Sequence, residues 1–509
     1  MGGDTGGSAE RNQSLWMLTD PPQDRFPPLV SDVDVDVCVV GAGISGLMTA
    51  YHLKRSGARV VVLERDRVGT GVTGFTTGKV TSLHGLVYAG LEERYSRDVA
   101  AIYGDANEAG VHAVRAIAAE HAIDCDLATM PAYTYTDRDG TVAAIEAEVE
   151  AARRAGLPAS LVTQTDLPFE VRAAVRFDSQ LHFHPRRFLD GVASVVAEIH
   201  ERTTATDVSE EDGRCVVTTP RAKVRADRVV LATLIPFVNT GLFFAKAHPE
   251  SSYAIASRFD DPPHGMYLSA DLPVRSIRPH LSADASWLIV GGEHHKVGQH
   301  DDDTNKHYDA LESFASERFS MRPQMRWSAS DFIPADDLPY VGRASGRTER
   351  IYVITGMKKL GLSTGSFAGI LIADLIAGRV NPWADVFDAS RIDPKRAGTR
   401  LVKENLNVAT RLVGDRLADI HPRDADDLQP GEGDIVEVGS ETVAAYRDES
   451  GALHTLSPVC THLGCHVRFN AAERSWDCPC HGSRFATDGS VLRGPAVDPL
   501  PEVSAAERS

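Results

Sequence analysis

The chain has 509 residues, 42 % of them apolar and 24 % charged, with a formal net charge of −18. That length calls for two or three domains, and the composition is that of a globular protein with room for sizeable cores. The acidic balance argues against nucleic acid or an anionic membrane surface as the main partner, and no apolar run approaches the roughly 20 residues of a membrane span.

Residues 1–32 read as a polar N-terminal tail whose one apolar spot, Ser14-Leu15-Trp16, can dock onto the body. The tail lacks the basic-then-apolar order of a signal peptide, so a cytoplasmic location is expected. Val33 to Val40 predicts a strand, Gly41-Ala-Gly-Ile-Ser-Gly46 a tight turn, the stretch through Leu53 a helix, and Arg59 to Leu63 a second strand: a βαβ unit. Residues 90–155 predict mostly helix, with a short hairpin around Tyr133 to Val142. Residues 160–235 mix strands with a helix over Arg186 to Glu201 and close on the strand Arg228 to Ala232. Strand candidates such as Trp287 to Val290 fill 250–330. Ile351 to Gly356 is a strand entering a glycine turn, followed by a helix from Ser366 to Ala377 that Gly378 ends. Asn381 to Arg396 reads as a linker and Leu401 to Ile420 as a helix; from about Leu428, short strands alternate with Gly/Asp turns. Cys38, Cys125 and Cys215 stand alone and read as small core residues. The other four cysteines lie between positions 460 and 480 and mark a site.

That site reads Cys460-Thr-His462-Leu-Gly-Cys465, then Cys478-Pro-Cys480-His481-Gly-Ser483: C-x-H, fifteen intervening residues, C-x-x-H. Each loop offers one thiolate and one imidazole. Two thiolates suit one iron of a [2Fe–2S] cluster and two neutral imidazoles the other. Gly464 and Gly482 allow a tight backbone path beside the sulfurs, and Gly494-Pro495 can supply a covering loop. A Cys₂His₂ zinc site uses the same ligand types but pairs cysteines first and histidines second. The two loops closely resemble those of Rieske proteins of the cytochrome bc-complex branch. The resemblance implies Cys460, His462, Cys478 and His481 as ligands, a Cys465–Cys480 disulfide, and a Ser483 hydrogen bond to a bridging sulfide. High-potential Rieske proteins carry Tyr where this chain has Phe485. One donor fewer predicts a potential below theirs and above the ring-hydroxylase type.

Gly41-x-Gly43-x-x-Gly46 between strand and helix is a dinucleotide fingerprint, and Glu64 closes the second strand eighteen residues after Gly46, where a carboxylate accepts from a ribose. No second fingerprint is present for a nicotinamide. Downstream lie the loop Gly71-Val-Thr73-Gly-Phe-Thr76-Thr77-Gly-Lys79, the segment Asp337 to Gly342, and Ile351 to Gly356 running on to Gly361-Leu362. Over about residues 33–385 these features resemble the D-amino-acid oxidase/glycine oxidase superfamily of FAD enzymes. That resemblance implies FAD contacts from Gly41, Gly43, Ile44, Ser45, Gly46, Glu64, Arg65, Gly71, Thr73, Thr76, Thr77, Lys79, Gly356, Gly361 and Leu362. Lys358 and Lys359 lie in the segment expected at the flavin ring, where a lysine would stabilise an anionic reduced flavin; they are the catalytic candidates. Lys79 suits the flavin edge, the pyrophosphate or plain solvent. His182, His184 and Arg186 are better read as structural than as cavity residues. Arg258, Tyr253, Tyr267 and His264 are candidates to bind a substrate carboxylate.

The whole chain resembles a bacterial family of FAD-dependent oxidoreductases with a C-terminal Rieske domain. The expected fold is an α/β FAD-binding domain, Rossmann-like and of glycine-oxidase type, with an inserted α+β substrate domain and a C-terminal all-β Rieske domain. Expected boundaries are 1–32 for the tail; 33–90, 155–240 and 330–392 for the FAD domain; 91–154 and 241–329 for the substrate domain; 393–427 for a linker helix; and 428–509 for the Rieske domain. The expected activity is oxidation of a small amine or amino-acid-like substrate by hydride transfer to FAD, with one-electron relay through the cluster to an external donor or acceptor protein. Alternatives are a cluster that feeds electrons to FAD for monooxygenase or reductase chemistry, an electron carrier or redox sensor without turnover, and an oxidase with a structural cluster. Direct transfer needs short range, so His462 and His481 are expected to point at an FAD domain; otherwise the linker helix serves as hinge.

Overall fold

A computed structural model describes residues 12–196, 198–299, 303–392, 403–408, 423–438 and 441–503. Its first sheet has eight strands. Val33–Val40 lies at its centre, parallel to Val60–Leu63 on one side and to Lys223–Leu231 on the other. Glu198–His200 extends the first side and Ile351–Thr355 the second, both in parallel, and Tyr340–Arg343 adds an antiparallel edge. Cys38 to Val40 and Val60 to Leu63 are all buried. Near-continuous apolar strands of this kind suit a parallel sheet covered on both faces. The helices Ile44–Arg55 and Gly361–Ile376 pack against one another. This brings the start of the βαβ unit beside the returning glycine segment.

The second sheet has nine strands, in the order Met325–Pro334, Ala247–Arg258, Ser286–Lys296, Arg275–Leu281, Met266–Ser269, Ala128–Thr136, Ala173–His182 and Lys79–Val80, with Ala159–Val162 beside Ala173–His182. Several of these strands depart from the expected boundaries. Ala159–Val162, Ala173–His182 and Lys79–Val80, expected in the FAD domain, belong to this second sheet, as does the whole of Met325–Pro334, which spans the expected boundary between residues 329 and 330. Local pattern shows that a strand exists, and only long-range pairing decides which sheet takes it. The expected hairpin over Tyr133 to Val142 is instead the strand Ala128–Thr136 followed by the helix Val142–Arg154, which buries Ile145, Val149 and Ala152 on one face. The helix expected over Arg186 to Glu201 is Pro185–Val195 and gives way to Glu198–His200. The helix expected from Ser366 begins at Gly361.

The N-terminal segment docks as the short helix Leu15–Thr19, with Leu15 and Trp16 fully buried. The Trp16 Nε1–H donates to Thr76 O (2.6 Å) and the Ser14 hydroxyl to Gly74 O (2.5 Å), which ties the segment to the Gly/Thr loop. Cys38, Cys125 and Cys215 are free and buried. Within the expected linker, Ala384–Phe387 is a short helix. Of the helix expected over Leu401 to Ile420, residues 403–408 are described and helical; the rest lies outside the described residues.

The C-terminal part holds two four-stranded sheets. One comprises Arg423–Asp424, Gly433–Val438, Glu441–Arg447 and Leu453–Leu456; the other comprises Arg468–Asn470, Ser475–Asp477, Arg484–Ala486 and Val491–Arg493. Among the described residues, no helix is long and apolar enough to cross a membrane.

Candidate functional site

The two cysteine–histidine loops are held together at their base. The Cys460 N–H donates to Cys465 O and the Cys478 N–H to Ser483 O, both at 2.8 Å, and Cys465 is disulfide-bonded to Cys480 across a Cα separation of 6.4 Å. The Cys478 and Cys460 side chains lie within hydrogen-bond reach of one another, which holds the Cys460 thiol down and pushes Cys478 up. The His462 and His481 rings meet edge to face at 5.1 Å. Burial pushes the imidazoles down, to about 4 for His462 and about 3 for His481, so both are neutral, the form that binds metal. His462 Nδ1 is buried and has no hydrogen-bond partner among the described residues. Two apposed thiols and an orphaned imidazole nitrogen fit an iron–sulfur cluster. The Ser483 hydroxyl accepts from the Ala496 N–H (3.1 Å), so the loop after Gly494 covers this site as expected.

A single cavity of about 920 Å³ runs through the oxidoreductase body. The fingerprint forms one end of it. Gly41 has φ +106°, and a Cβ on Gly46 would lie 1.8 Å from Gly41 O, so the turn closes onto the helix only without side chains. Gly43, Ile44 and Ser45, at the N-terminus of Ile44–Arg55, open into the cavity. Glu64 Oε2 accepts from the Ala42 N–H (2.7 Å) and Oε1 from the Asp66 N–H (3.0 Å). A volume of this size with a helix N-terminus at one end suits a dinucleotide.

The cavity and the cluster loops share a wall. Gly494, Ala496 and Val497 of the C-terminal part line the same cavity as the fingerprint. Elsewhere one two-stranded ribbon separates them. Pro249 pairs with Phe332, and the next pair is Glu250 with Asp331. Glu250 and Asp331 face the cavity. Pro249 and Phe332 point the other way, onto the cluster loop. A Cβ on Gly482, beside His481, would lie 2.5 Å from Pro249 Cβ and 3.5 Å from Phe332 Cζ. Opposite faces of one sheet layer put the loop and the cavity on the order of 10 Å apart. Phe244 packs edge-on against His481 (5.1 Å) and His462 (6.1 Å), so both rings face the oxidoreductase body, on a residue expected in the substrate domain. Further contacts lock the parts together: the Gln299 Nε2–H donates to Pro479 O (2.9 Å), the Thr304 hydroxyl to Asn470 Oδ1 (2.8 Å) and the Tyr308 hydroxyl to Glu473 Oε1 (2.7 Å).

Gly41, Gly43, Ile44, Ser45, Glu64, Arg65, Gly71, Thr73, Thr76, Thr77, Lys79, Gly361 and Leu362 all line the cavity. Gly46 and Gly356 do not line it; they shape the backbone beneath it. Lys79 reaches the substrate sheet, where its ammonium donates to Ser276 Oγ (2.6 Å) and Tyr267 O (3.1 Å), and burial pushes it down to about 7. Lys358 and Lys359 both line the cavity. Lys358 pairs with Asp337 (2.8 Å) and Lys359 with Glu250 (3.0 Å). Of the carboxylate-binding candidates, Tyr253 and Tyr267 line the cavity, whereas His264 and Arg258 are exposed elsewhere, Arg258 lying over Trp287. His184 and Arg186 make structural hydrogen bonds, whereas the buried ring nitrogens of His182 have no hydrogen-bond partner among the described residues. His184 Nδ1 caps the helix Pro185–Val195, and Arg186 donates to Asp20 O and Val68 O. Cavity-wall residues that the sequence did not mark for the site include His84, Tyr133, His248, Glu250 and Asp331. Only the strand register brings Glu250 and Asp331 together.

Residues 36–375 match the family of FAD dependent oxidoreductases known as DAO, and residues 421–504 match the Rieske [2Fe-2S] domain. A Rieske 2Fe-2S iron-sulfur protein of Bacillus subtilis, YhfW, is 33 % identical over 97 % of this chain and 98 % of its own length. Gamma-glutamylputrescine oxidoreductase of Escherichia coli is 26 % identical over 75 % of this chain and 91 % of its own. The crystal structure of glycine oxidase from Geobacillus kaustophilus superposes with a TM-score of 0.60 at 16 % identity, over 71 % of this chain and all of that one.

Proposed function

The chain belongs to the FAD dependent oxidoreductase family and carries a Rieske domain, and on that premise we propose that it oxidises a small amine or amino-acid-like substrate and relays the electrons through its cluster to a one-electron acceptor protein. FAD, when bound, takes a hydride from the substrate and gives the electrons up singly. Gly41, Gly43 and the helix start at Ile44 bind the pyrophosphate, and Glu64 binds a ribose. Lys358 and Lys359 hold positive charge at the ring. Cys460 and Cys478 would ligate one iron and His462 and His481 the other, while Ser483, its oxygen already accepting from Ala496, would have its proton free for the cluster.

The observation that carries this reading is the shared wall: Gly494, Ala496 and Val497 close the same cavity that the fingerprint opens. A carrier or a structural cluster would not need its cover loop built into the substrate cavity. The Escherichia coli relative, whose name gives it an amine to oxidise, supports the substrate class. The test is an anaerobic titration with amines, amino acids and NAD(P)H, following flavin and cluster absorbance and the cluster's EPR signal together. An amine that bleaches the flavin and brings up the EPR signal bears the proposal out. Reduction only by an external donor, cluster first, contradicts it and reverses the direction of flow.

A further inference from the structure

We propose that Asp331, Glu250, Lys359 and His248 form a proton-transfer unit that takes protons from the cavity and passes them to the crevice between the oxidoreductase body and the cluster domain. The inference rests on the hydride-and-relay reading above.

The balance of that reading requires such a unit. An ammonium substrate must lose one proton before its C–H bond can leave as hydride, and the product is an iminium. Returning the hydride's two electrons one at a time to the acceptor protein, through the cluster, leaves a second proton behind. The first of these protons is released beside the substrate before any electron moves, so the buried cavity needs its own route for protons by side chains or water.

Glu250 and Asp331 are direct cross-strand partners on the cavity face. Two carboxylates so placed repel unless their surroundings separate them. Glu250 accepts from Lys359 Nζ (3.0 Å) and His248 Nε2 (3.3 Å), and these two groups hold it well below the usual carboxylate range although burial opposes them. Asp331 is 5 % exposed; among the described residues it accepts only backbone N–H groups, from Phe332 (2.7 Å) and Lys359 (2.5 Å), and burial pushes it up to about 6. Two carboxyls pushed apart in this way can divide the labour, one holding a proton near neutrality and one staying charged.

The groups facing Glu250 come from every neighbouring element: His248 on its own strand, Asp331 on one neighbouring strand, Lys296 directly opposite it on the other (itself paired with Glu404) with His294 further along, and Lys359 on the turn before Gly361–Ile376. His248 is the exit. It lies on the cavity wall and also on the wall of a small crevice between the domains, beside Gln299, Asn405 and Pro479. Its Nδ1 is buried with no partner among the described residues, which is where a crevice water would take over. Electrons and protons therefore leave the cavity through consecutive cross-strand pairs of one ribbon. Pro249 and Phe332 touch the cluster loop, and Glu250 and Asp331 face the substrate side.

The first measurement needs no variant. Infrared redox-difference spectra of the holoenzyme, reduced chemically and carrying ¹³C-labelled aspartate, should show a protonated-carboxyl band that shifts with the label. That band should be missing in Asp331→Asn. In single-turnover kinetics, Glu250→Gln should slow cluster reduction at least ten-fold and add a solvent deuterium effect, and His248→Gly should be restored by added imidazole. Absence of a label-sensitive band, together with wild-type cluster reduction in Glu250→Gln, overturns the proposal. If the wild-type cluster never follows the flavin, the relay reading falls, and the infrared band still decides the proton unit by itself.

Discussion

Replacing Gly298 with alanine would set a methyl group against the backbone of a cluster loop. Its Cβ would lie 2.7 Å from Pro479 N, 2.8 Å from Asp477 O and 2.9 Å from Pro479 Cα, and the residue sits at φ +65°. Backbone atoms cannot swing away as a flexible side chain can, so one domain must move from the other. Overpacking of this kind costs about 1–3 kcal/mol, and a left-handed backbone with a side chain adds roughly 1–2 kcal/mol. The overpacking falls on the docking of two folded parts, because the clash lies between them and in neither core, whereas the backbone cost is local to residue 298. A loss of only about 2 kcal/mol shifts the docked-to-undocked ratio roughly 30-fold. The assay is stopped-flow reduction by substrate under anaerobic conditions, with flavin bleaching and cluster reduction read at separate wavelengths. Flavin bleaching should keep its rate, and the cluster's EPR spectrum and midpoint potential should stay as in the wild type. Cluster reduction should slow by ten-fold or more. Hydrogen exchange across residues 477–482 reports whether the interface has loosened. A loosened interface with cluster reduction at the wild-type rate would refute the claim that direct docking carries the electrons.

Three further perturbations probe other parts of the account. Phe485 is fully buried in the cluster domain's core; Phe485→Tyr should raise the cluster's midpoint by about 60 mV in protein-film voltammetry, since a hydrogen bond to a charged group contributes about 1.5 kcal/mol, or about 60 mV for one electron. An unchanged or lower potential would mean that the new hydroxyl finds no sulfur. Glu64→Ala should weaken FAD binding about ten- to hundred-fold, the range for losing a charge-assisted hydrogen bond, as read by fluorescence during reconstitution of the apoprotein; wild-type affinity would remove Glu64 from the ribose site. Glu148 is fully buried and accepts from the Tyr88 and Ala89 N–H groups (2.8 Å each), yet burial pushes it from 4.5 up to about 7. Because its folded value is raised, its contribution to stability is present below about pH 4.5 and lost as pH rises through about 7. Against Glu148→Gln in denaturant titrations, the gap should therefore move in the variant's favour by about 3 kcal/mol between those limits, and a pH-independent gap would contradict the shift.

What could be read from the sequence was local. The cluster ligands sit in two short loops whose residue types and spacing state their own chemistry, and the βαβ unit places Gly41, Gly43 and Glu64 within one contiguous stretch. What could not be read was pairing at a distance. Ala159–Val162 and Ala173–His182 look like strands from their own residues, but the partner Ala128–Thr136 that pulls the second of them into the substrate sheet lies well upstream. A hairpin is expected around Tyr133 to Val142, yet the apolar spacing of Ile145, Val149 and Ala152 makes the residues from Val142 onward a helix. Glu250 and Asp331 carry no motif at all; they become a pair only through the antiparallel register of Ala247–Arg258 with Met325–Pro334. Arg258 sits at the far end of that same strand, which is why a plausible carboxylate binder ends up exposed over Trp287 and away from the cavity. Lys358 and Lys359 line the cavity, and the sequence gives no sign that each is tied to a carboxylate.

The most direct test of the central claim is rapid freeze-quench EPR during a single anaerobic turnover with an oxidisable amine. The account predicts flavin bleaching first, then the reduced-cluster signal, at a second rate that does not change with protein concentration. A cluster signal that stays absent while the flavin is fully reduced, or one whose rate scales with protein concentration, would contradict transfer across the ribbon of Pro249 and Phe332.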